Sequence, residues 1–303
     1  MKILFTFPGQ GTQHPGMLHE LPAGDTTLEQ ARAVLGDEVD TLDSPQALRH
    51  TRAVQLCLLI AGTAWARELI RRDITPDMVS GLSIGAFPAA TIAGALSFAD
   101  ALRLVALRGD LMEQAYPQGY GLTAIQGLTL PQVEALVADS DVYIANLNAE
   151  TQIVIAGRDD SMAQVAQRAL EKGASRARRL AVSVPSHCAL LDEPARQLQA
   201  AFAGVTLTRP SCAYLSGSSA RVLWQPERIA EDLALNMART VRWQEAMIAA
   251  EEREVGLAVE MPPGGILTCL TRQAVTREEA ISLERSGCEV AVHMAKLARA
   301  REY

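Results

Sequence analysis

A chain of 303 residues is long enough for one large domain, or for one domain carrying an insertion. Apolar side chains make up 49% and aromatic ones only 4%, which predicts a core packed from alanine, leucine and valine and excludes long disorder. The formal charge of −7 excludes nucleic acid as the main ligand, because binding phosphates takes a concentrated basic surface.

The first half reads as α/β. Ile3 to Phe7 is an apolar strand that runs into the loop "FPGQGTQHPGM". The stretch "AVQLCLLIAGTAWARELIRR" has helical period and length. "MVSGLSIGAFPAATIAGAL" then gives a short strand, a glycine-punctuated corner and another helix. "SFADALRLVALRGDLMEQAY" is a helix with Ser97 and Asp100 at capping-box spacing. From Leu122 the order becomes strand "LTAIQG", helix "LPQVEALVA", strand "VYIANLN", strand "QIVIAG", helix "DSMAQVAQRALEKG" and strand "RRLAVSV". That βαββαβ order predicts a ferredoxin-like unit inserted into the α/β body. The body resumes with "VPSHCALLDEPARQLQAAF". The expected division is therefore 1–118 with 182–303 as one discontinuous domain, and 119–181 as the insert.

Lys2 precedes an apolar run too short for a signal-peptide core, and no run is expected to reach the length of a membrane span. Cys57, Cys188, Cys212, Cys269 and Cys288 are odd in number and lack CxxC spacing, so buried reduced thiols are expected and neither a disulfide framework nor a zinc site. These features predict a cytoplasmic protein.

Gly81-Leu82-Ser83-Ile84-Gly85 has the spacing G-x-S-x-G. A serine between such glycines sits on a cramped strand-to-helix turn that exposes its hydroxyl beside a helix N-terminus, where negative charge is stabilised. A nucleophilic serine needs a base. His187 is one candidate, placed after Pro185-Ser186 where the chain re-enters the body. His293 is the other, late in the chain as in α/β-hydrolases. Arg108 reads in two ways: an exposed arginine beside Gly109, or a planar fork for a substrate carboxylate.

"FPGQGTQ", "GLSIGAFPAA", "LRGDLMEQAYPQG", "IANLNAETQIVIAG", "SVPSHCALL" and "VRWQEAM", in that order, resemble the malonyl-CoA:acyl-carrier-protein transacylase family over nearly the whole chain. The resemblance implies a hydrolase-like α/β acyltransferase domain with an inserted ferredoxin-like subdomain. It implies Ser83 as nucleophile, His187 as general base and Arg108 as the partner of the malonyl carboxylate. The backbone N–H groups of Gln10 and Ile84 would form the oxyanion hole, and the backbone carbonyl of Asn236 would orient the base. The glycines around Gln10 would let its amide approach the developing oxyanion. No metal or bound cofactor is implied: malonyl-CoA is the substrate, and an acyl carrier protein brings its own phosphopantetheine-type arm.

Leu82 and Ala86 stand where the family commonly has histidine and glutamate, and Asn236 stands where the fatty-acid enzymes have glutamine. A backbone role survives that last change; a side-chain role does not follow from it. "GLSIGAFPAA", "FPGQGTQHPGML" and "MPPGGILT" resemble the epsilon subunit of malonate decarboxylase more than the fatty-acid enzyme. That resemblance implies the decarboxylase carrier subunit as acceptor. A transacylase of fatty-acid or polyketide synthesis is the alternative, and a serine esterase or thioesterase using Ser83 with His293 is a third reading. Lys172, Arg176, Arg178 and Arg179 form the densest basic cluster, expected to be either a solvated strand end or a patch for an acidic carrier.

Overall fold

A computed structural model describes residues 1–277 and 279–301. Its strands and α-helices run β1 (Lys2–Phe7), α1 (Thr27–Leu35), α2 (Thr51–Arg71), β2 (Met78–Gly81), α3 (Ala86–Ile92) and α4 (Phe98–Ala115). The middle of the chain gives β3 (Tyr120–Gln126), α5 (Leu130–Val137), β4 (Tyr143–Ala149), β5 (Gln152–Arg158), α6 (Asp159–Glu171) and β6 (Arg176–Arg179). The remainder is α7 (Asp192–Ala201), β7 (Ala213–Leu215), β8 (Val222–Leu223), α8 (Pro226–Leu235), α9 (Trp243–Glu251), β9 (Val255–Glu260), α10 (Ile266–Ala274), β10 (Glu279–Ser282) and α11 (Leu283–Ala300).

Two sheets result. The larger has the order β10-β9-β1-β2-β7-β8, parallel throughout except for the antiparallel β7–β8 edge. Successive residues of its strands serve opposite cores, as the period of two requires. Ile3, Phe5 and Phe7 of β1 pack with α2, α3 and α4, while Leu4 belongs to the core beneath α9 and α10. Because β1 and β2 are parallel, with Phe7 opposite Gly81, the loops that follow them leave the sheet at the same edge. Clefts at the carboxyl ends of parallel strands are where such sheets bind ligands.

The smaller sheet is antiparallel, with the order β4-β5-β3-β6. That order matches the ferredoxin-like unit expected from the βαββαβ pattern. Helices α5 and α6 cover one face through Val133, Leu136, Met162 and Val165. The other face packs Leu122, Ala145, Val154 and Ala156 against Cys188 of the body. Strand β4 also reaches the larger unit by its edge: Leu147 N–H donates to the Val241 carbonyl at 2.7 Å, and Val241 N–H to the Ala145 carbonyl at 2.9 Å.

The helix caps follow local chemistry. Ser97 Oγ accepts from the Asp100 N–H at 3.1 Å at the start of α4, and Thr129 forms a capping box with Gln132 at the start of α5.

Several expectations need correction. The final strand of the insert is β6 (Arg176–Arg179), not residues 178–184. The Arg179 guanidinium donates to the carbonyls of Leu180 and Val182, and so gives those residues partners outside a ladder. Helix α2 is long and apolar enough to cross a membrane by length and composition, contrary to the expectation that no run would be. It is 78% buried over its most apolar stretch, packed between α3 and α4, which is how a core helix earns that composition. Cys269 is exposed, so the thiols are not uniformly buried.

Candidate active site

The elbow between β2 and α3 depends on its two glycines. A Cβ on Gly81 would lie 1.9 Å from the backbone carbon of Gly85, and a Cβ on Gly85 would lie 2.1 Å from the Phe7 carbonyl oxygen. No side chain fits at either position. The turn holds Ser83 at φ 58°, a left-handed conformation unusual for a non-glycine residue and typical of residues strained for function. Ile84 follows in the first helical turn, where N–H groups lack intrahelical acceptors.

The loop after β1 lies beside this elbow. Leu82 N–H donates to the Phe7 carbonyl at 3.0 Å, and a Cβ on Gly9 would stand 2.9 Å from Leu82 Cδ2. Leu82 thus packs on the glycine loop. Gln13 Oε1 accepts the Gly11 N–H at 2.6 Å, so that amide is engaged. Among the described residues the Gln10 N–H has no backbone acceptor. The Gln10 side chain accepts from Gln55 Nε2 at 3.4 Å. Gln55 is fully buried and touches Met112 Sδ, tying the loop to α4. Sequence reasoning passed over Gln55, although a lone amide inside the apolar run "AVQLCLLIAG" is a usable signal: a buried polar group needs a reason.

Arg108 is not an exposed arginine. It lies inside α4 with no exposed surface. Gly109 permits this burial, since a Cβ there would come within 2.4 Å of Arg52 Cα and force α4 away from α2. Arg108 Nη2 donates to Ser83 Oγ at 3.1 Å and to Asn236 Oδ1 at 2.9 Å; among the described residues Nε and Nη1 have no hydrogen-bond partner, and the guanidinium carbon lies 5.8 Å from the centre of the Phe87 ring. Burial pushes the guanidinium down to about 9, so it is still a cation at neutral pH. A buried cation with two unused donors and no carboxylate is costly to keep, and it suits an anionic ligand.

His187 is 3% exposed and sits at φ 66°, its N–H donating to the Met237 carbonyl at 2.6 Å. Its Nδ1 lies 2.8 Å from the Asn236 carbonyl. A carbonyl only accepts, so Nδ1 carries the proton and Nε2 keeps a lone pair. Burial is the main cause of a pKa lowered to about 4, against which the Asn236 carbonyl works. His187 is therefore neutral at physiological pH, as a base must be.

Asn236 joins these groups. Besides its carbonyl on His187 and its Oδ1 on Arg108, its Nδ2 donates to the Ser83 carbonyl at 3.2 Å. Sequence reasoning anticipated a backbone role only. His293, the rival base, lies on the exposed side of α11. His14 and His50 pair with Glu20 and Glu113 at the surface. Among the described residues no group of three or more His, Cys, Asp or Glu could hold a metal ion.

A strained serine on an elbow, a buried neutral histidine and orphan amides from two neighbouring loops define a protein of the covalent acyl-transfer class. The acyl transferase domain family matches residues 4–300, and the chain belongs to that family: it is an acyltransferase. It is 34% identical over 296 residues to the malonyl CoA-acyl carrier protein transacylase of Haemophilus influenzae, covering 93% of this chain and 95% of that protein. The crystal structure of the acyl-carrier-protein S-malonyltransferase of Burkholderia pseudomallei superposes with a TM-score of 0.90 at 32% identity, covering 97% of this chain and 100% of that one. A malonyl-transacylase solved in complex with its type II polyketide acyl carrier protein gives a TM-score of 0.89 at 32% identity, covering 96% and 99%.

Proposed function

We propose that the protein moves malonyl from malonyl-CoA, through an ester on Ser83, to the thiol of an acyl carrier protein. The observation that carries this reading is the buried Arg108, which donates to Ser83 Oγ and has two nitrogens without a hydrogen-bond acceptor among the described residues. A cation there suits an acyl group that ends in a carboxylate. In this reading His187 Nε2 takes the Ser83 proton as Oγ attacks the thioester carbonyl. The Gln10 and Ile84 amides hold the oxyanion, and the imidazolium returns its proton to the departing CoA thiolate. The carrier thiol then attacks the malonyl-serine ester by the reverse route, giving a ping-pong cycle. The backbone carbonyl of Asn236 takes the orienting place that an acidic residue fills in many triads. Residues 1–118 and 182–303 act as the acyltransferase body and 119–181 as the insert, and the cytoplasm is the compartment where such substrates meet.

The names of the relatives support the carrier of fatty-acid or polyketide synthesis as acceptor. The carrier subunit of malonate decarboxylase is the second reading, favoured by the sequence blocks quoted above and by Leu82 at the elbow. The test is a competition at limiting malonyl-CoA between the two carriers, each bearing its own prosthetic group, read by intact-protein mass. Preferential malonylation of the fatty-acid carrier is expected. Preferential charging of the decarboxylase carrier would reverse the assignment, and free malonate with neither carrier charged would point to a hydrolase.

An acidic carrier needs a basic docking face. Arg179 no longer belongs to the candidate patch, because it is bound to Asp159 and to the Tyr120, Leu122 and Val182 carbonyls. Lys172, Arg176 and Arg178 are exposed and, among the described residues, unpaired. Arg176 and Arg178 share one face of the edge strand β6. Charge reversal at both is expected to raise the KM for carrier several-fold and to leave that for malonyl-CoA unchanged. An unaltered carrier KM would show that this strand end is only solvated.

A further inference from the structure

Asn236 follows α8, is 4% exposed, and turns its carbonyl and both polar atoms of its side chain to the reacting machinery. Its carbonyl accepts from His187 Nδ1, its Oδ1 from Arg108 Nη2, and its Nδ2 donates to the Ser83 carbonyl. The backbone contact is open to any residue at this position, whereas the two amide contacts are open to few.

We propose that the Asn236 side chain is a specificity-positioning residue: it aims Arg108 at a carboxylate-bearing acyl group and, because it is neutral, leaves the guanidinium charge available to that group. The proposal rests on the malonyl reading above.

A buried guanidinium has to be held by an acceptor if its fork is to point one way. The strongest acceptor is a carboxylate, and aspartate has nearly the shape of asparagine. An aspartate, however, would satisfy the charge of Arg108 internally and compete with the substrate for it. An amide oxygen orients without neutralising. The arrangement agrees with this logic: Nη2 is held at 2.9 Å, while Nε and Nη1 have no hydrogen-bond acceptor among the described residues. The same amide reaches the Ser83 carbonyl at 3.2 Å, so the cation and the nucleophile are referred to one side chain. The arrangement costs stability. Burial holds the folded-state pKa of Arg108 at about 9, below the ordinary 12.5, so its charge penalises the folded state at every pH below about 9. Relief comes only as pH rises from about 9 towards 12.5.

The experiment compares malonyl-CoA and acetyl-CoA as donors for wild type, Asn236→Ala, Asn236→Asp and Arg108→Ala, with melting temperatures measured alongside. Asn236→Ala keeps the carbonyl that His187 uses. It is expected to lower kcat/KM for malonyl about 10- to 100-fold more than for acetyl, the loss of one hydrogen bond to a charged group, while the lost contact to the Ser83 carbonyl lowers both donors alike. The acidic limb of its pH–rate profile should not move. Asn236→Asp should lose malonyl transfer at least as far, because its carboxylate neutralises the buried cation and cannot donate to the Ser83 carbonyl. The malonyl-to-acetyl ratio is measured within one preparation, so a partly folded variant still reports it. Equal losses for both donors in Asn236→Ala, or an undiminished malonyl preference in Asn236→Asp, overturns the proposal. Should Arg108→Ala keep the wild-type donor preference, the malonyl reading itself fails and this inference goes with it.

Discussion

Ser83→Ala is expected to gain no mass on incubation with malonyl-CoA, whereas the wild-type protein should carry one stable malonyl increment on Ser83. The expectation follows from the elbow. The backbone at φ 58° is held by glycines that cannot be replaced, and what that strain delivers is the hydroxyl, next to the first helical turn. Alanine keeps the turn and removes the oxygen, so the fold should survive. Transfer to carrier should fall by roughly 10⁴–10⁶-fold, the scale on which nucleophiles are lost from comparable sites. His187→Ala should form the same ester very slowly. The hydroxyl would keep its place, but no lone pair would be there to receive its proton. The only hydrogen bond Ser83 Oγ makes among the described residues is the one it accepts from Arg108. A hydrogen bond from Ser83 Oγ to His187 Nε2, which is not made among the described residues, is thus expected to form when an acyl group occupies the cleft. Peptide mapping after malonyl-CoA treatment is the check, and label that persists in Ser83→Ala would remove Ser83 from the mechanism.

Arg108→Ala should separate donors rather than abolish activity. Leaving a substrate carboxylate unpaired in a buried site costs about 2–5 kcal/mol, which is roughly a 30- to 5,000-fold loss in malonyl transfer. Acetyl has no carboxylate to lose and should be affected far less. A parallel loss for both would make Arg108 a structural residue, for instance one needed only for its bond to Asn236. The pH profile gives an independent reading. The base form of His187 exists above about pH 4, and the Arg108 cation below about pH 9. Malonyl transfer should therefore rise through about pH 4 and decline through about pH 9. Acetyl transfer should share the acidic limb, set by the histidine, and lack the alkaline one, set by the arginine. In stability terms His187 works in the opposite direction to a paired histidine. Its folded pKa lies below the ordinary 6.5, so burying it neutral favours folding above that pH, and the contribution is lost as pH falls from 6.5 towards 4.

The sequence by itself determined whatever depends on near neighbours. The G-x-S-x-G spacing announces the elbow because Gly81 must clear Gly85, four residues on. Ser97 announces the start of α4 because its acceptor is the amide of Asp100. Alternation and helical period announce β1, α2 and the βαββαβ order, since burial on one face is written into the spacing of apolar residues. The blocks around Ser83, His187 and Arg108 were enough for the family.

Only the tertiary structure decided questions whose partners are far apart in the chain. Arg108 could have been an exposed arginine; the crossing of α2 at Gly109 buries it, and Ser83 and Asn236 hold it. The different settings of His187 and His293 depend on where the segment after α8 runs: the carbonyl of Asn236 holds the ring of His187, while α11 leaves His293 exposed. Arg179 looked like part of a free patch until its carbonyl partners appeared. The composition of α2 satisfies both a membrane and a protein core, and packing between α3 and α4 settles which. The physical reason is common to all four. Burial and hydrogen bonding of a polar side chain depend on atoms brought near by the topology, and local spacing carries no record of them.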